Sequence, residues 1–573
     1  MKTGFLASIC IVLLFNQACQ KSSSGNRKIR LSDQQTQTRT DDQLTTTIHL
    51  EPALRRAIAV MFFDNRTGDQ NLEWLQKGLT EMFIRSLSQS RSLSVLSVDR
   101  MYEIFKRLGK TEPEEVDVDM AAVVAKEANV EAVLTGHITK IGDSLRIDVV
   151  VRESNQGQII KRESVEGVGL ENIFSMVDHL TQNIKNDLQL SGDKDEPGRS
   201  IADLSTNSLE AWRSYTSGVD LMNQFRWSES IEQYKRATAL DSTFVSAYFY
   251  LTNLLYNQGQ IEQGYDAYQR LLSLRDKAIP REKFMIDLLD AGIQNNPSRQ
   301  IEVSREWIKQ YPEDRDANFT LATVHYNLQY YDRAILVLKK VLEIDPNYAL
   351  AHNQLGYTYA NMGDYTNAVV HLNQYKELNP DEPNPYDSLG EIYLYQGNYK
   401  HAEKYFKEAV KVNENFLFAW QHLGNTYIDR GNYGKALDAF NTSLKKSNDP
   451  SDKANALSQI GLTQWRLGHT EEAIDSYHKA LEHVGYRYLT MTWLHEVYQS
   501  KNDSIGGIHS LKQNYESVKQ LVDTYPNLIR TLANLSLWYD VNVDETISII
   551  NSILKTTDNP YAKTWGRFLL GLI

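Results

Sequence analysis

Residues 349–382 read ALAHNQLGYTYANMGDYTNAVVHLNQYKELNPDE, and residues 383–416 read PNPYDSLGEIYLYQGNYKHAEKYFKEAVKVNENF. Aligned with each other, the two stretches place leucine, glycine, tyrosine and alanine at matching positions, 34 residues apart. A fixed period of this length is typical of repeat architectures, in which each unit packs mainly against its neighbours. The repeat therefore decides the fold of this part of the chain.

The same spacing holds over four consecutive units, which are residues 315–348, 349–382, 383–416 and 417–450. The seventh residue is leucine, the eighth alanine or glycine, the seventeenth tyrosine and the twentieth alanine. These residues are Leu321, Leu355, Leu389 and Leu423; Ala322, Gly356, Gly390 and Gly424; Tyr331, Tyr365, Tyr399 and Tyr433; and Ala334, Ala368, Ala402 and Ala436. The small residues let two helices cross closely, and we expect the tyrosine to fill the gap between them.

This pattern resembles the tetratricopeptide repeat, in which each unit is a pair of antiparallel helices and successive units form a superhelix. Weaker units flank the clear ones, at residues 211–244, 245–278, 281–314 and 454–487, with another expected at 529–560. We expect eight to ten units over residues 208–573, closed by a capping helix from Tyr561, because the last unit must present one face to water.

In arrays of this family the first helix of each unit lines a concave groove. On that face the four clear units carry amide, aromatic and acidic side chains and no lysine or arginine. The candidate groove residues are Phe319, Tyr326, Asn327, Asn353, Tyr357, Asn361, Asp387, Glu391, Tyr395, Gln421, Asn425 and Asp429. Asparagine amides can bond to any peptide backbone, and tyrosines supply contact area at low entropic cost. The hypothesis is a groove for a neutral or basic peptide or helix; the alternative is a solvated face that binds nothing.

A different pattern precedes the repeats, over residues 50–192. Residues 57–63 (AIAVMFF) indicate a buried strand, and apolar and charged residues alternate over 145–152 as in a half-buried strand. Apolar residues recur every three or four positions over 72–87, which predicts an amphipathic helix. The expected order is strand, helix, strand, helices, three strands, helix. The predicted fold class is thus a small α/β domain, a linker at 193–207, and an all-α superhelix.

Two stretches of this domain, IAVMFFDNRTGDQNLEWLQKGLTEMFIRSLS (58–88) and VAKEANVEAVLTGHITKIGDSLRIDVVVRESNQGQII (124–160), resemble the N-terminal domain of TolB-like proteins. The likeness to envelope lipoprotein domains of the CsgG type is more distant. In such families the module occurs in the bacterial envelope or is fused to signalling domains, and it serves docking and sensing. The resemblance implies no catalytic residues.

The first residues predict export. Lys2 and the apolar run 5–15 have the make-up of a signal peptide, here residues 1–18, and the run is too short to span a bilayer. Cys19 after Ala18 resembles the acylated cysteine of bacterial lipoproteins, although Asn16 and Gln17 depart from that pattern. The alternative is a plain secretory signal with an incidental cysteine. Residues 19–49 are polar and predict a flexible tether.

Composition narrows the function classes. A net charge of −12 argues against nucleic-acid binding, which depends on a basic surface. The repeats contain no HExxH, GxxxxGK[ST] or GxSxG motif and no cysteine nucleophile. His352 and His422 fall near the repeat core, where packing accounts for them. We therefore expect no enzyme activity, no metal and no cofactor.

The interpretation is a protein-interaction scaffold in the bacterial cell envelope, attached to the membrane only through a lipid on Cys19. Its partner would be a protein or peptide of the envelope, and the sequence specifies neither that partner nor an oligomeric state. The alternative is a regulatory subunit that docks an envelope enzyme, transporter or pore through the TolB-like domain. A third class, an enzyme acting on glycans or peptides, would need a pair of carboxylates in a pocket.

Overall fold

The computed structural model describes residues 56–90, 93–109, 118–154, 157–187, 199–223, 226–258, 260–294, 296–447, 450–483, 487–501, 516 and 543–556. The predicted signal peptide 1–18, the lipidation site Cys19, the tether 19–49 and the capping helix from Tyr561 lie outside these residues. Within them, no helix combines the length and apolar character needed to cross a membrane.

The N-terminal part is an α/β structure, as predicted. Its strands are β1 (Arg56–Val60), β2 (Asp64–Asn65), β3 (Leu93–Val95), β4 (Ala132–Ile141), β5 (Ser144–Glu153) and β6 (Ile159–Val168). Its helices are α1 (Leu75–Leu87), α2 (Val98–Arg107), α3 (Val118–Ala128) and α4 (Ile173–Asp187), with short 3-10 turns at Gln70–Leu72 and Leu170–Asn172.

The strands form one mixed sheet in the order β3-β1-β4-β5-β6, with β2 beside β4. β1 runs parallel to both β3 and β4, whereas β4, β5 and β6 form an antiparallel meander. Successive side chains of β1 point to opposite faces, so Ile58 and Val60 join one core while Ala59 joins the other. Helices α2 and α3 cover the face of Ala59, and α1 and α4 cover the opposite face.

Helices follow in pairs through most of the remaining residues that the structure describes. The short α5 (Ile201–Leu204) precedes α6 (Leu209–Asn223), α7 (Trp227–Leu240), α8 (Val245–Asn257), α9 (Ile261–Leu274), α10 (Pro280–Ile293) and α11 (Pro297–Gln310), with a 3-10 turn at Arg275–Lys277. The four clear units supply α12 (Arg315–Asn327), α13 (Tyr331–Ile344), α14 (Ala349–Asn361), α15 (Tyr365–Leu378), α16 (Pro383–Tyr395), α17 (Tyr399–Val412), α18 (Leu417–Asp429) and α19 (Tyr433–Lys446).

Beyond them lie α20 (Pro450–Arg466), α21 (Thr470–Leu481), α22 (Arg487–Ser500) and α23 (Val543–Thr556), of which α23 falls in the unit expected at 529–560. The described helices α6 to α21 thus make eight consecutive pairs. The fold class is as predicted, an α/β region followed by a helical repeat superhelix. The domain boundaries and the number of units stay predictions.

The chain divides into two compact units. The first holds the described residues up to Gly292 together with Ser298–Leu321, and the second holds Ile293–Pro297 and the described residues from Ala322 onward. Within the first unit, one apolar core runs from the sheet through α1 and α4 into α6–α9, and it includes Ile201 from the predicted linker.

Small residues at the eighth repeat position allow close helix contact, but not with the expected partner. A Cβ placed on Gly356 would lie 2.5 Å from Leu372, one on Gly390 2.5 Å from Phe406, and one on Gly424 2.4 Å from Phe440. The neighbour is therefore the twenty-fourth residue of each unit. The expectation that the seventeenth-position tyrosine fills this gap is wrong, because those tyrosines begin the second helices and stay half-exposed.

Candidate functional site

The predicted groove residues lie on first helices and differ in depth according to their repeat position. Three of them are buried, namely Phe319, Asp387 and Gln421. Six are half-buried, namely Tyr326, Asn327, Asn353, Tyr357, Glu391 and Asn425. The remaining three, Asn361, Tyr395 and Asp429, are exposed, and all occupy the thirteenth position of their units. We call these three the rim residues.

Phe319 differs from the other candidates. It belongs to the first compact unit, whereas the other eleven residues belong to the second. Its ring is only 4% exposed. A side chain so deeply buried offers no surface to a ligand, so Phe319 serves the packing of its own unit.

Polar side chains of consecutive first helices bond to each other along the second unit. We call this series the inter-repeat ladder. Its bonds span 2.5 to 3.2 Å and join Thr323 to Gln354, Tyr326 to Asn361, Asn353 to Ser388, Tyr357 to Glu391, Asp387 to His422, and Gln421 to Asn455. Each bond crosses from one repeat to the next. Many of the predicted groove residues therefore hold neighbouring first helices together.

The most charged part of the ladder is the Asp387–Glu391–His422 cluster. Asp387 and Glu391 lie four residues apart on α16 and so share one helix face. His422 lies on α18, one repeat and one residue after Asp387. Its Nδ1 is 2.9 Å from Asp387 Oδ1, and its Nε2 is 3.8 Å from Glu391 Oε1.

This cluster changes the protonation of its members. Burial alone would lower the pKa of His422, but the charges of Asp387 and Glu391 and the hydrogen bond to Asp387 raise it to about 9. At neutral pH the ring is therefore an imidazolium. Burial raises the pKa of the Glu391 carboxyl, although the charge of His422 opposes that change. Tyr357 donates a 2.5 Å hydrogen bond to Glu391, and burial raises the pKa of that hydroxyl.

The cluster reduces the negative charge that the groove presents. Asp387 is 4% exposed and faces a cation, so it contributes little field at the surface. Asp429 keeps its exposed place at the rim, and burial raises the pKa of its carboxyl despite the charge of Arg466. The groove of the described residues is thus polar and aromatic more than acidic.

Chemically, the cluster has the donor set of a metal site. One ligand atom from each of Asp387, Glu391 and His422 can be chosen so that all three lie within 4.8 Å of one another. Among the residues that the structure describes, this is the one group of at least three histidine, cysteine or acidic side chains that meets this condition.

Three ladder partners of the groove residues were not predicted from the sequence. Ser388 and His422 fall outside the positions that line a groove in this family, and Asn455 belongs to a unit beyond the four clear ones. Packing was expected to account for His422, but its ring also makes an ion pair. The signal that could have found these residues is their spacing of 34 or 35 residues from a polar groove residue.

Comparison with known proteins identifies the repeats. Residues 349–382, 383–416 and 416–484 match the tetratricopeptide repeat, and residues 322–363 match the TPR repeat. The helix pairs of this region are therefore tetratricopeptide repeats. Such repeats mediate protein or peptide binding, which supports a protein-interaction scaffold that is typically not an enzyme.

One curated relative comes from Rhizobium meliloti (strain 1021) and is provisionally named adenylate cyclase 3. It is 31% identical over 134 residues, which is 23% of this chain and 21% of that protein. This chain thus matches about a fifth of the length of that relative.

Two solved structures are similar in part. The pilF protein of Pseudomonas aeruginosa is 18% identical, with 37% of this chain and 92% of that chain covered and a TM-score of 0.29. A tetratricopeptide repeat protein from Parabacteroides merdae ATCC 43184 is 13% identical, with 51% of this chain and 99% of that chain covered and a TM-score of 0.31.

Proposed function

We propose that this protein is an interaction scaffold of the bacterial envelope that binds a partner peptide or helix along the first helices of residues 349–466. Attachment through a lipid on Cys19 and the TolB-like character of the N-terminal domain form part of this proposal. They rest on the sequence patterns described above.

The observation that carries the proposal is the combination of ladder and rim. The ladder fixes neighbouring first helices through side-chain bonds, so the face above it is preorganised and loses little entropy when it binds. Beside the ladder, Tyr395 is 54% exposed and follows Asn361 and precedes Asp429 in the series of thirteenth-position residues. An exposed tyrosine flanked by polar groups is typical of residues that anchor a protein partner.

The partner that fits best is a peptide with polar and apolar side chains and little net charge. The rim combines an amide, a phenol and a carboxylate, and the next repeat adds Arg466, which lies close enough to affect Asp429. A strongly basic partner is disfavoured because His422 already neutralises the buried charge of Asp387. The preference expected from the sequence for neutral or basic peptides is thereby narrowed to the neutral ones.

Cross-linking in the native host, followed by purification and mass spectrometry, tests the proposal. The rim variant carries Tyr395→Ala and Asp429→Ala at two rim residues, and Asn425→Ala four residues before Asp429 on the same helix face. Asn353, Tyr357 and Asn361 stay unchanged, because all three take part in the ladder. A matched control carries Val370→Ala, Lys404→Ala and Asp438→Ala, three exposed residues on second helices of the same repeats. We expect one envelope protein to be captured by the wild type and the control but at least tenfold less by the rim variant.

Equal capture by the rim variant would contradict binding through the groove. It would support the alternative in which the N-terminal α/β domain docks an envelope enzyme, transporter or pore. Circular dichroism of both variants shows whether the helices remain intact, so that a loss of binding reports on the rim itself.

A further inference from the structure

In the Asp387–Glu391–His422 cluster, each ring nitrogen of the histidine faces a carboxylate. His422 uses Nδ1 for Asp387, and its Nε2 faces the second carboxylate, Glu391, across 3.8 Å. The side chains of His422 and Glu391 are 23% and 22% exposed, so both keep some contact with solvent. The side chain of Asp387 is only 5% exposed.

This arrangement is typical of histidines that bind metals. Such a histidine usually gives its second ring N–H to a carboxylate, which fixes the tautomer and orients the ring. Asp387 occupies that place, which leaves Nε2 as the ligand atom. We propose that His422 Nε2 and Glu391 Oε1 bind a zinc-class divalent cation, with Asp387 as the positioning residue.

Distances in the cluster fit a zinc ion. Zinc lies about 2.0–2.1 Å from nitrogen and about 2.0–2.2 Å from carboxylate oxygen, so tetrahedral geometry needs the two ligand atoms about 3.4 Å apart. The distance of 3.8 Å between His422 Nε2 and Glu391 Oε1 would therefore shorten by about half an ångström, through rotation of the two side chains. Water completes the coordination on the exposed side, and the proton on Nε2 leaves to solvent when the cation binds.

The ligand atoms also set the preference among cations. One imidazole nitrogen with carboxylate oxygen suits zinc and related transition metals, whereas magnesium and calcium require more oxygen ligands. Glu391 would turn its Oε1 to the cation and keep Oε2 as acceptor for Tyr357. The same site would fix α16 to α18, which carry the rim residues Tyr395 and Asp429.

Isothermal titration calorimetry of the purified chain with zinc chloride tests the site. Cys10→Ser and Cys19→Ser are present in every protein, so that no thiolate competes for the metal. We expect one zinc per wild-type chain, and no stoichiometric binding of magnesium or calcium. Glu391→Gln keeps the shape of the side chain and an acceptor for Tyr357, and we expect it to weaken zinc binding at least tenfold. Asp387→Asn is expected to weaken it by about 10- to 100-fold, as found for residues that orient a metal ligand.

His137→Gln is the matched control. His137 also faces one carboxylate, that of Asp148 at 3.5 Å, but it belongs to the sheet of the first compact unit. We expect this variant to bind zinc as the wild type does. Cobalt(II) supplies a second measurement, because a histidine-ligated ion gives visible bands that Glu391→Gln and His422→Gln should abolish.

The proposal fails if the wild type binds no zinc stoichiometrically, or if Glu391→Gln and His422→Gln bind it with wild-type affinity. Should His422→Gln not fold, Glu391→Gln decides alone. Neither result depends on whether the groove binds a peptide.

Discussion

At the scale of single residues, the repeat 349–382 contains a pair of histidines whose Nδ1 atoms lie 3.1 Å apart. His352 Nε2 is 3.2 Å from the carbonyl oxygen of Pro346, so Nε2 donates there and Nδ1 is the acceptor in the neutral ring. His371 then donates from its own Nδ1, and its ring stacks on Tyr359. This arrangement requires both rings to be neutral.

The pair should make the repeat sensitive to acid. Burial, then the charges of His352 and Lys339, lower the pKa of His371 to about 4, from 6.5 in an unfolded chain. A lowered histidine pKa contributes stability above pH 6.5, and this stability is lost as the pH falls toward 4. The difference between these two pKa values corresponds to a contribution of about 3 kcal/mol at most to the free energy of unfolding. Solvent around the half-buried ring reduces this contribution to about 1–2 kcal/mol.

We expect His371→Gln to weaken this acid sensitivity, because glutamine can still donate to His352 and does not titrate in this range. Urea unfolding followed by circular dichroism near pH 7 and near pH 5 measures the change. His401→Gln, at an exposed histidine of the next repeat, is the control. Parallel pH dependences for wild type and His371→Gln would show that the pair contributes nothing.

At the scale of the helix pair, the fifteenth residue of each repeat forms the turn between the two helices. Gly363, Gly397 and Gly431 have φ values of 81°, 71° and 70° there. In the unit 315–348 the same place is taken by Gln329, with φ of 62°. A left-handed conformation costs a non-glycine residue about 1–2 kcal/mol, so this turn is strained relative to the next three.

We expect Gln329→Gly to stabilise its repeat by about 0.5–1 kcal/mol, since relief of the backbone strain exceeds the added flexibility of glycine in the unfolded chain. The reverse change, Gly397→Ala, should destabilise by a similar amount. A Cβ at Gly397 would meet nothing within 4 Å, so its effect is purely conformational. Thermal denaturation of both variants provides the measurement, and unchanged or lower stability of Gln329→Gly would refute the account.

The positions of the helix pairs were also the feature that the sequence predicted best. The 34-residue period placed the first residues of α12, α14, α16 and α18 at 315, 349, 383 and 417, where the structure has them. It did not predict what fills the space beside the eighth-position glycine. That residue is Leu372 in one unit and Phe406 and Phe440 in the next two, so its type is not constant along the array.

The candidate site was less predictable than the helices. Repeat position predicts which side chains face inward, and eleven of the twelve candidates lie in the second unit. Whether an inward-facing side chain can contact a ligand depends on whether a residue of the next repeat already binds it. Asn353 reaches Ser388 and Asp387 reaches His422, and such pairs depend on side-chain length and rotamer as well as on period.

At the scale of the whole molecule, the α/β structure and the first repeats share one core. Arg85 on α1 donates to Glu282 on α10 at 2.8 Å and to Ser246 on α8 at 2.6 Å, and it lies over the ring of Trp212. Periodicity showed that α1 is amphipathic but not which surface covers it. The first repeats cover part of α1, so the first unit contains both the α/β structure and the repeats that the sequence pattern placed on either side of a linker.

This shared core predicts that the α/β structure and the first repeats unfold together. The side chains of Arg85 and Glu282 are only 11% and 15% exposed. Removing one partner of a buried ion pair leaves the other charge uncompensated and costs about 3–5 kcal/mol. We expect Arg85→Ala to lower protection from hydrogen exchange in β1, β4 and α1 and equally in α6 to α9, while α14 to α19 keep theirs. Mass spectrometry of exchanged peptides measures this.

Two further variants make the prediction specific. Arg85→Met with Glu282→Met removes both charges and should recover much of the lost protection, because no charge is then left unpaired. Arg146→Ala removes an exposed pair with Glu166 on the surface of the sheet and should change little. Faster exchange in the sheet alone, with α6 to α9 unaffected, would mean that the two parts fold independently.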